Sequence, residues 1–200
     1  MNIKVCGITQ LKQLQQLEAL DIDFAGFVFD EQSPNYVVDK ISPEDIAAAD
    51  FDIKKVGVFT NAEFDFINEQ VEIYSLDIVQ LNGNESAGFC EELSEDIEVI
   101  KTFRIKKDQQ NIDRIIEEYD LACDYYLFDV EDNDYSFLER SKIEKPFFIS
   151  GNISVNDAAT LRSLNHPDLF AVNIDNKFEK EPGMKDMGLI LQFREAVRKK

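Results

Sequence analysis

The chain has 200 residues, 44% of them hydrophobic, and carries a formal net charge of −19. That length suits a single domain with a real core, and the charge opposes binding to nucleic acid or to an anionic membrane surface, because the phosphate attraction behind such binding becomes a repulsion. No apolar run approaches the roughly 18 residues of a spanning helix.

Cys6, Cys90 and Cys123 are an odd count without paired spacing, and no charged-then-apolar leader precedes the first strand. They read as reduced thiols of a cytoplasmic protein. The single histidine, His166, sits in the turn-like Leu164-Asn165-His166-Pro167-Asp168. A Ser-His-Asp triad, a Cys-His pair and most zinc arrangements are thereby set aside, and acid-base work falls to Cys, Asp, Glu, Lys or Tyr.

Asn2 to Val5 reads as a short buried strand, whose period of two puts Lys4 and Cys6 on one face. Gly7 lets the chain turn, Thr9 is the expected cap, and Leu11, Leu14, Leu17 and Leu20 recur at helical spacing. A second strand runs from Asp23 to Asp30, followed by Ser33-Pro34-Asn35-Tyr36-Val37. Ser42-Pro43-Glu44-Asp45 combines a cap, an early proline and acids in the first turn, opening a helix through Ile46 to Ala49.

The cycle then repeats. Strands are predicted over Lys54–Phe59, Asp77–Leu81, Glu98–Phe103, Tyr125–Asp129, Pro146–Ser150 and Leu169–Ile174. Helices between them are marked by Phe64, Ile67 and Val71 after a cap at Thr60-Asn61, by Phe89 and Leu93, by Ile112, Ile115 and Ile116, and by Ala158, Leu161 and Leu164. The sixth unit is the weakest, with only Phe137 and Leu138 as anchors. A last helix covers about Asp186 to Arg198. No hairpin signal or composition break interrupts the alternation. Eight such units predict an α/β fold, one (β/α)8 barrel domain over residues 1–200, with its active site at the C-terminal strand ends. An open doubly wound sheet is the alternative, but no glycine-rich nucleotide fingerprint follows any strand.

The segments just past the strands are Cys6-Gly7-Ile8-Thr9, Ser33-Pro34-Asn35-Tyr36-Val37, Val56-Gly57-Val58-Phe59, Val79-Gln80-Leu81-Asn82-Gly83, Asp129, Ser150-Gly151-Asn152-Ile153 and Pro182-Gly183-Met184-Lys185-Asp186. Together, and over the whole chain, they resemble phosphoribosylanthranilate isomerase, a barrel enzyme of tryptophan biosynthesis. The resemblance implies a cofactor-free and metal-free Amadori rearrangement of a phosphosugar, with Asp129 as acid on the ring oxygen and Cys6 as base at C2′. Lys4, on the face of Cys6, offers a charge that favours the thiolate, or else a barrel-interior ion pair.

The same resemblance marks Asn35, Asn82, Gly151, Asn152, Asp175, Asn176 and Lys177 as substrate-binding positions, and several depart from the family's pattern. Asn35 replaces an arginine that pairs with the anthranilate carboxylate, and Asn82 replaces a histidine. Gly151-Asn152 and Asp175-Asn176-Lys177 stand where the family cradles phosphate on Gly-Gly and Ser-Ser-Gly. Glu131-Asp132-Asn133-Asp134 stands where the family has a glycine-rich, lysine-bearing loop. Two classes therefore stay open: an isomerase of this family, and a non-catalytic or substrate-shifted paralogue. The charge favours a monomer over a homodimer.

Overall fold

In a computed structural model of the protein, which describes residues 1–48, 51–107 and 112–199, eight parallel strands close into one barrel in chain order. They are β1 (Asn2–Cys6), β2 (Phe24–Val28), β3 (Lys54–Phe59), β4 (Ile78–Leu81), β5 (Glu98–Ile105), β6 (Tyr125–Val130), β7 (Phe147–Gly151) and β8 (Leu169–Ile174). Closure comes from β1 against β8, with Lys4 opposite Asn173. The predicted barrel is the observed fold.

Helices α1 (Leu11–Ala19), α2 (Pro43–Ala47), α3 (Phe64–Tyr74), α4 (Ala87–Ser94), α5 (Ile112–Ile116), α6 (Ala158–Ser163) and α7 (Met187–Arg198) lie in the connections and after β8. Ser42 caps α2 by accepting from the Asp45 amide, as its sequence foretold. The expected reach of that helix to Ala49 lies outside the described residues.

Two predicted caps are used otherwise. Thr9 Oγ1 donates to the Gly183 carbonyl at 2.5 Å, leaving Gln10 at the N-cap of α1. Asn61 adopts a left-handed backbone, and its Oδ1 accepts from the Asn84 amide, while Glu63 stands at the N-cap of α3. The weak sixth unit forms no α-helix, only a 3-10 turn at Tyr135–Glu139 whose Phe137 and Leu138 are buried. The sequence did not announce an antiparallel ribbon, β9 (Glu179–Glu181) with β10 (Met184–Lys185), after β8. Among the described residues no helix is long and apolar enough to cross a membrane.

The core has two parts. Between strands and helices lies a continuous apolar layer that includes Ile3, Val5, Leu14, Leu17, Phe27 and Phe193. Inside the barrel, Phe24, Val56, Ile78, Ile100, Leu127, Phe148 and Ala171 form a separate plug, with Phe24 and Phe148 edge to face at 5.4 Å. Because side chains alternate across a strand, this plug fixes the inward parity of β2 through β8. The next inward positions toward the C-terminal ends hold Gln80, Thr102, Asp129, Ser150 and Asn173. The apolar plug thus becomes the floor of a polar mouth.

Candidate active site

Alternation on β1 carries Lys4 and Cys6 inward, and both meet β2 at Gly26, which pairs with Cys6 in register. A Cβ on Gly26 would lie 2.9 Å from Cys6 Sγ and 3.1 Å from Lys4 Nζ. Only glycine leaves both side chains room. Lys4 is fully buried and donates to Asn173 Oδ1 at 2.9 Å, while Asn173 Nδ2 donates to Ser150 Oγ at 2.9 Å. Burial pushes the Cys6 thiol above its ordinary range, with Asp175 adding to the rise and Lys4 and Lys185 acting against it.

Asp129 stands near the end of β6, opposite Arg104 on one side and Ser150 on the other. Burial raises its carboxyl above the usual carboxylate range, Arg104 opposes that rise, and Asp175 adds to it. Cys6 and Asp129 line one cavity of about 320 Å3 at the C-terminal mouth, together with Gln80, Asn82, Asn173 and Asp175. A thiol and a carboxylic acid on opposing walls of one cavity suit proton removal at one carbon and proton delivery to a nearby oxygen. Among the described residues no group of three or more His, Cys, Asp or Glu side chains is arranged to hold a metal ion.

Of the substrate-binding positions expected from sequence, Asn82, Gly151, Asp175 and Asn176 line this cavity, and Lys4, Asn35, Asn152 and Lys177 do not. Lys4 lies beside the thiol, turned to Asn173. Asn35 is buried, and its Nδ2 donates to Glu179 Oε1 at 2.9 Å. The β1–α1 turn packs against that amide: Gly7 has φ +81°, and a Cβ there would fall 2.5 Å from Asn35 Nδ2. Asn152 is exposed and uses its carbonyl to accept from Asn133 Nδ2. Lys177 is exposed on a short 3-10 turn after β8.

Three residues matter here that the sequence reading did not single out. Lys185, with a fully buried side chain, lies 2.6 Å from Glu179 Oε1 and 3.2 Å from Asp175 Oδ1. This tethers Asp175 at the cavity edge to a cation. Glu85, also buried, accepts from Lys101 Nζ at 2.7 Å and from the Asn61 and Gly83 amides, and so ties the loop after β3 to the loop after β4. The third is Arg104. Its signal was present in the sequence, two residues beyond Thr102 on the inward parity of β5.

The profile of the N-(5′-phosphoribosyl)anthranilate isomerase family matches residues 3–196. The chain belongs to this family. An N-(5′-phosphoribosyl)anthranilate isomerase of Parabacteroides distasonis is 34% identical over 98% of this chain and 93% of its own. One from Crocosphaera subtropica is 30% identical over 100% and 99%. Among solved structures, monomers of the dimeric phosphoribosylanthranilate isomerase of Thermotoga maritima superpose with a TM-score of 0.84 at 26% identity, covering 100% of both chains. A phosphoribosylanthranilate isomerase in complex with reduced 1-(o-carboxyphenylamino)-1-deoxyribulose 5-phosphate gives a TM-score of 0.82 at 27% identity, covering 99% of this chain and 98% of that one. The barrel expected from strand periodicity is thus the barrel of phosphoribosylanthranilate isomerases.

Proposed function

We propose that this family member isomerises N-(5′-phosphoribosyl)anthranilate to its 1-deoxy ketose in tryptophan biosynthesis, with Asp129 as general acid and Cys6 as general base. Asp129 protonates the ring oxygen as the nitrogen lone pair opens the furanose to a Schiff base. The Cys6 thiolate then takes the C2′ proton, the electron pair left behind moves toward the iminium nitrogen, and the resulting enaminol tautomerises to the ketone. Every proton removed is returned, so no external reductant or oxidant enters.

The observation that carries this reading is the shared cavity, with Cys6 on β1 and Asp129 on β6 across the barrel mouth. Burial keeps more of the Asp129 carboxyl protonated, which a general acid needs. Lys4 supports the thiolate that a base needs.

One observation favours a second reading, a paralogue shifted to a less anionic aminosugar. Among the described residues the charged walls of the Cys6–Asp129 cavity are Asp30, Asp129 and Asp175, and none is basic. The test is rescue of a bacterium lacking its own phosphoribosylanthranilate isomerase on medium without tryptophan. Growth with the wild-type chain but not with Cys6→Ala or Asp129→Asn supports the isomerase and its two named groups. Absence of growth with well-expressed wild type favours the shifted paralogue.

A further inference from the structure

The cavity of Cys6 and Asp129 has a neighbour. Asn82 walls both, and beyond it a second cavity of about 280 Å3 is lined by Phe103, Arg104, Ile115 and Tyr119. Two basic side chains reach this space, Lys101 and Arg104, and they differ in one respect. Lys101 is already neutralised by Glu85 at 2.7 Å, with both side chains only 3% exposed. Arg104 is exposed and makes no hydrogen bond or ion pair among the described residues.

The direction of Arg104 follows from its strand. Ile100 belongs to the apolar plug, and Thr102 accepts from Gln80 Nε2 at 3.2 Å inside the barrel. The third residue of that inward series is Arg104, at the rim and in register with Asp129. Arg104 thus lines the side cavity, with its aromatic and aliphatic walls, from a strand position paired with that of the acid. An aromatic ring carrying one carboxylate matches such a space, with apolar surface for the ring and a planar five-donor fork for the carboxylate.

We propose that Arg104 determines substrate specificity by receiving the aryl carboxylate in this side cavity while the sugar lies over Cys6 and Asp129. The assignment rests on the phosphoribosylanthranilate reading. It also meets a need that the Cys6–Asp129 cavity leaves open, since none of its walls among the described residues is basic. Glu118 lines the side cavity as well and opposes the same anion.

The test uses two ligands, reduced 1-(o-carboxyphenylamino)-1-deoxyribulose 5-phosphate and its phenylamino counterpart without the carboxylate. Their affinities are measured by calorimetry on the wild type, Arg104→Gln, Arg104→Lys and Glu118→Gln. Arg104→Gln should weaken the carboxylated ligand by about 10- to 100-fold, the range of a lost charged hydrogen bond, and leave the other nearly unchanged. Arg104→Lys should fall between, and Glu118→Gln should tighten the carboxylated ligand alone. Equal effects of Arg104→Gln on both ligands, or none on either, overturn the assignment while leaving the isomerase reading intact. If the wild type binds neither ligand, the isomerase reading fails and takes this assignment with it.

Discussion

The buried ammonium of Lys4 takes a neutral amide as its hydrogen-bond partner, Asn173 Oδ1 at 2.9 Å. A buried cation without a carboxylate favours any anion formed beside it. The adjacent group that can become one is the Cys6 thiol, whose charged form the Lys4 cation favours.

Lys4→Met should therefore raise the Cys6 pKa further, because burial would act with less opposition. Neighbouring opposite charge changes a thiolate population by about 10- to 1,000-fold, so alkylation of Cys6 near pH 7 should slow within that range, and kcat should fall more than KM rises. Cys90 and Cys123 are internal references, pushed up to about 11 and about 12 by burial. Mass spectrometry of a labelling time course resolves the three sites. Wild-type Cys6 reacting no faster than Cys90 would count against the thiolate role.

Gly26→Ala tests the packing that holds the same pair. The added methyl lies inside contact distance of both Sγ and Nζ, and backbone on β1 is 3.1 Å away, so one of the two side chains must leave its position. Overpacking of this kind destabilises by about 1 to 3 kcal/mol. The loss of kcat should exceed what that change in folding implies, with the variant still folded by circular dichroism.

The strands were legible because a strand covered on both faces shows as a short run of Val, Ile and Phe, and eight of those in alternation with helical stripes leave few topologies. The place of Cys6 and Asp129 at the barrel mouth was legible for a related reason, since strand ends are where barrels expose polar side chains. The caps at Thr9 and Asn61 were misread because both side chains bond to partners far along the chain, Gly183 and Asn84. The contact that Asn35 makes was hidden for the same physical reason. Its partner, Glu179, lies 144 residues away, and local spacing carries no trace of it.

Glu85 supports the loop that presents Asn82. Glu85→Ala would strand Lys101 in a site where its side chain is 3% exposed, and would leave the Gly83 and Asn61 amides without their acceptor. Breaking one side of a buried pair typically costs about 3 to 5 kcal/mol. In a chain of this size that corresponds to a fall in Tm of roughly 6 to 20 °C, measurable by calorimetry. Glu85→Gln keeps some acceptors and should fall less. A change under about 2 °C for the alanine variant would show that solvent reaches Lys101 readily.

Asp129 sets function against stability. Its folded-state pKa is raised by burial, with Arg104 opposing, so the folded protein favours the protonated form more than the unfolded chain does. The stability tied to that protonation is fully present below the ordinary Asp range and is lost as pH rises through the raised folded value. Above that value the wild type holds an ionised, partly buried carboxylate at a net disadvantage. Asp129→Asn removes it. The variant should unfold at a higher Tm than the wild type at pH 7, and the difference should shrink as pH falls through the raised folded value and be lost below about 4, where the carboxyl becomes protonated in both states. Turnover should move the other way, down by about 100- to 10,000-fold, the usual contribution of a positioned acid. Thermal melts of both proteins across pH 3 to 8, with kcat measured at pH 7, decide the matter. A variant less stable than wild type at pH 7 would mean that the ionised carboxylate is held by favourable contacts, and a variant with near-normal kcat would remove Asp129 from the reaction.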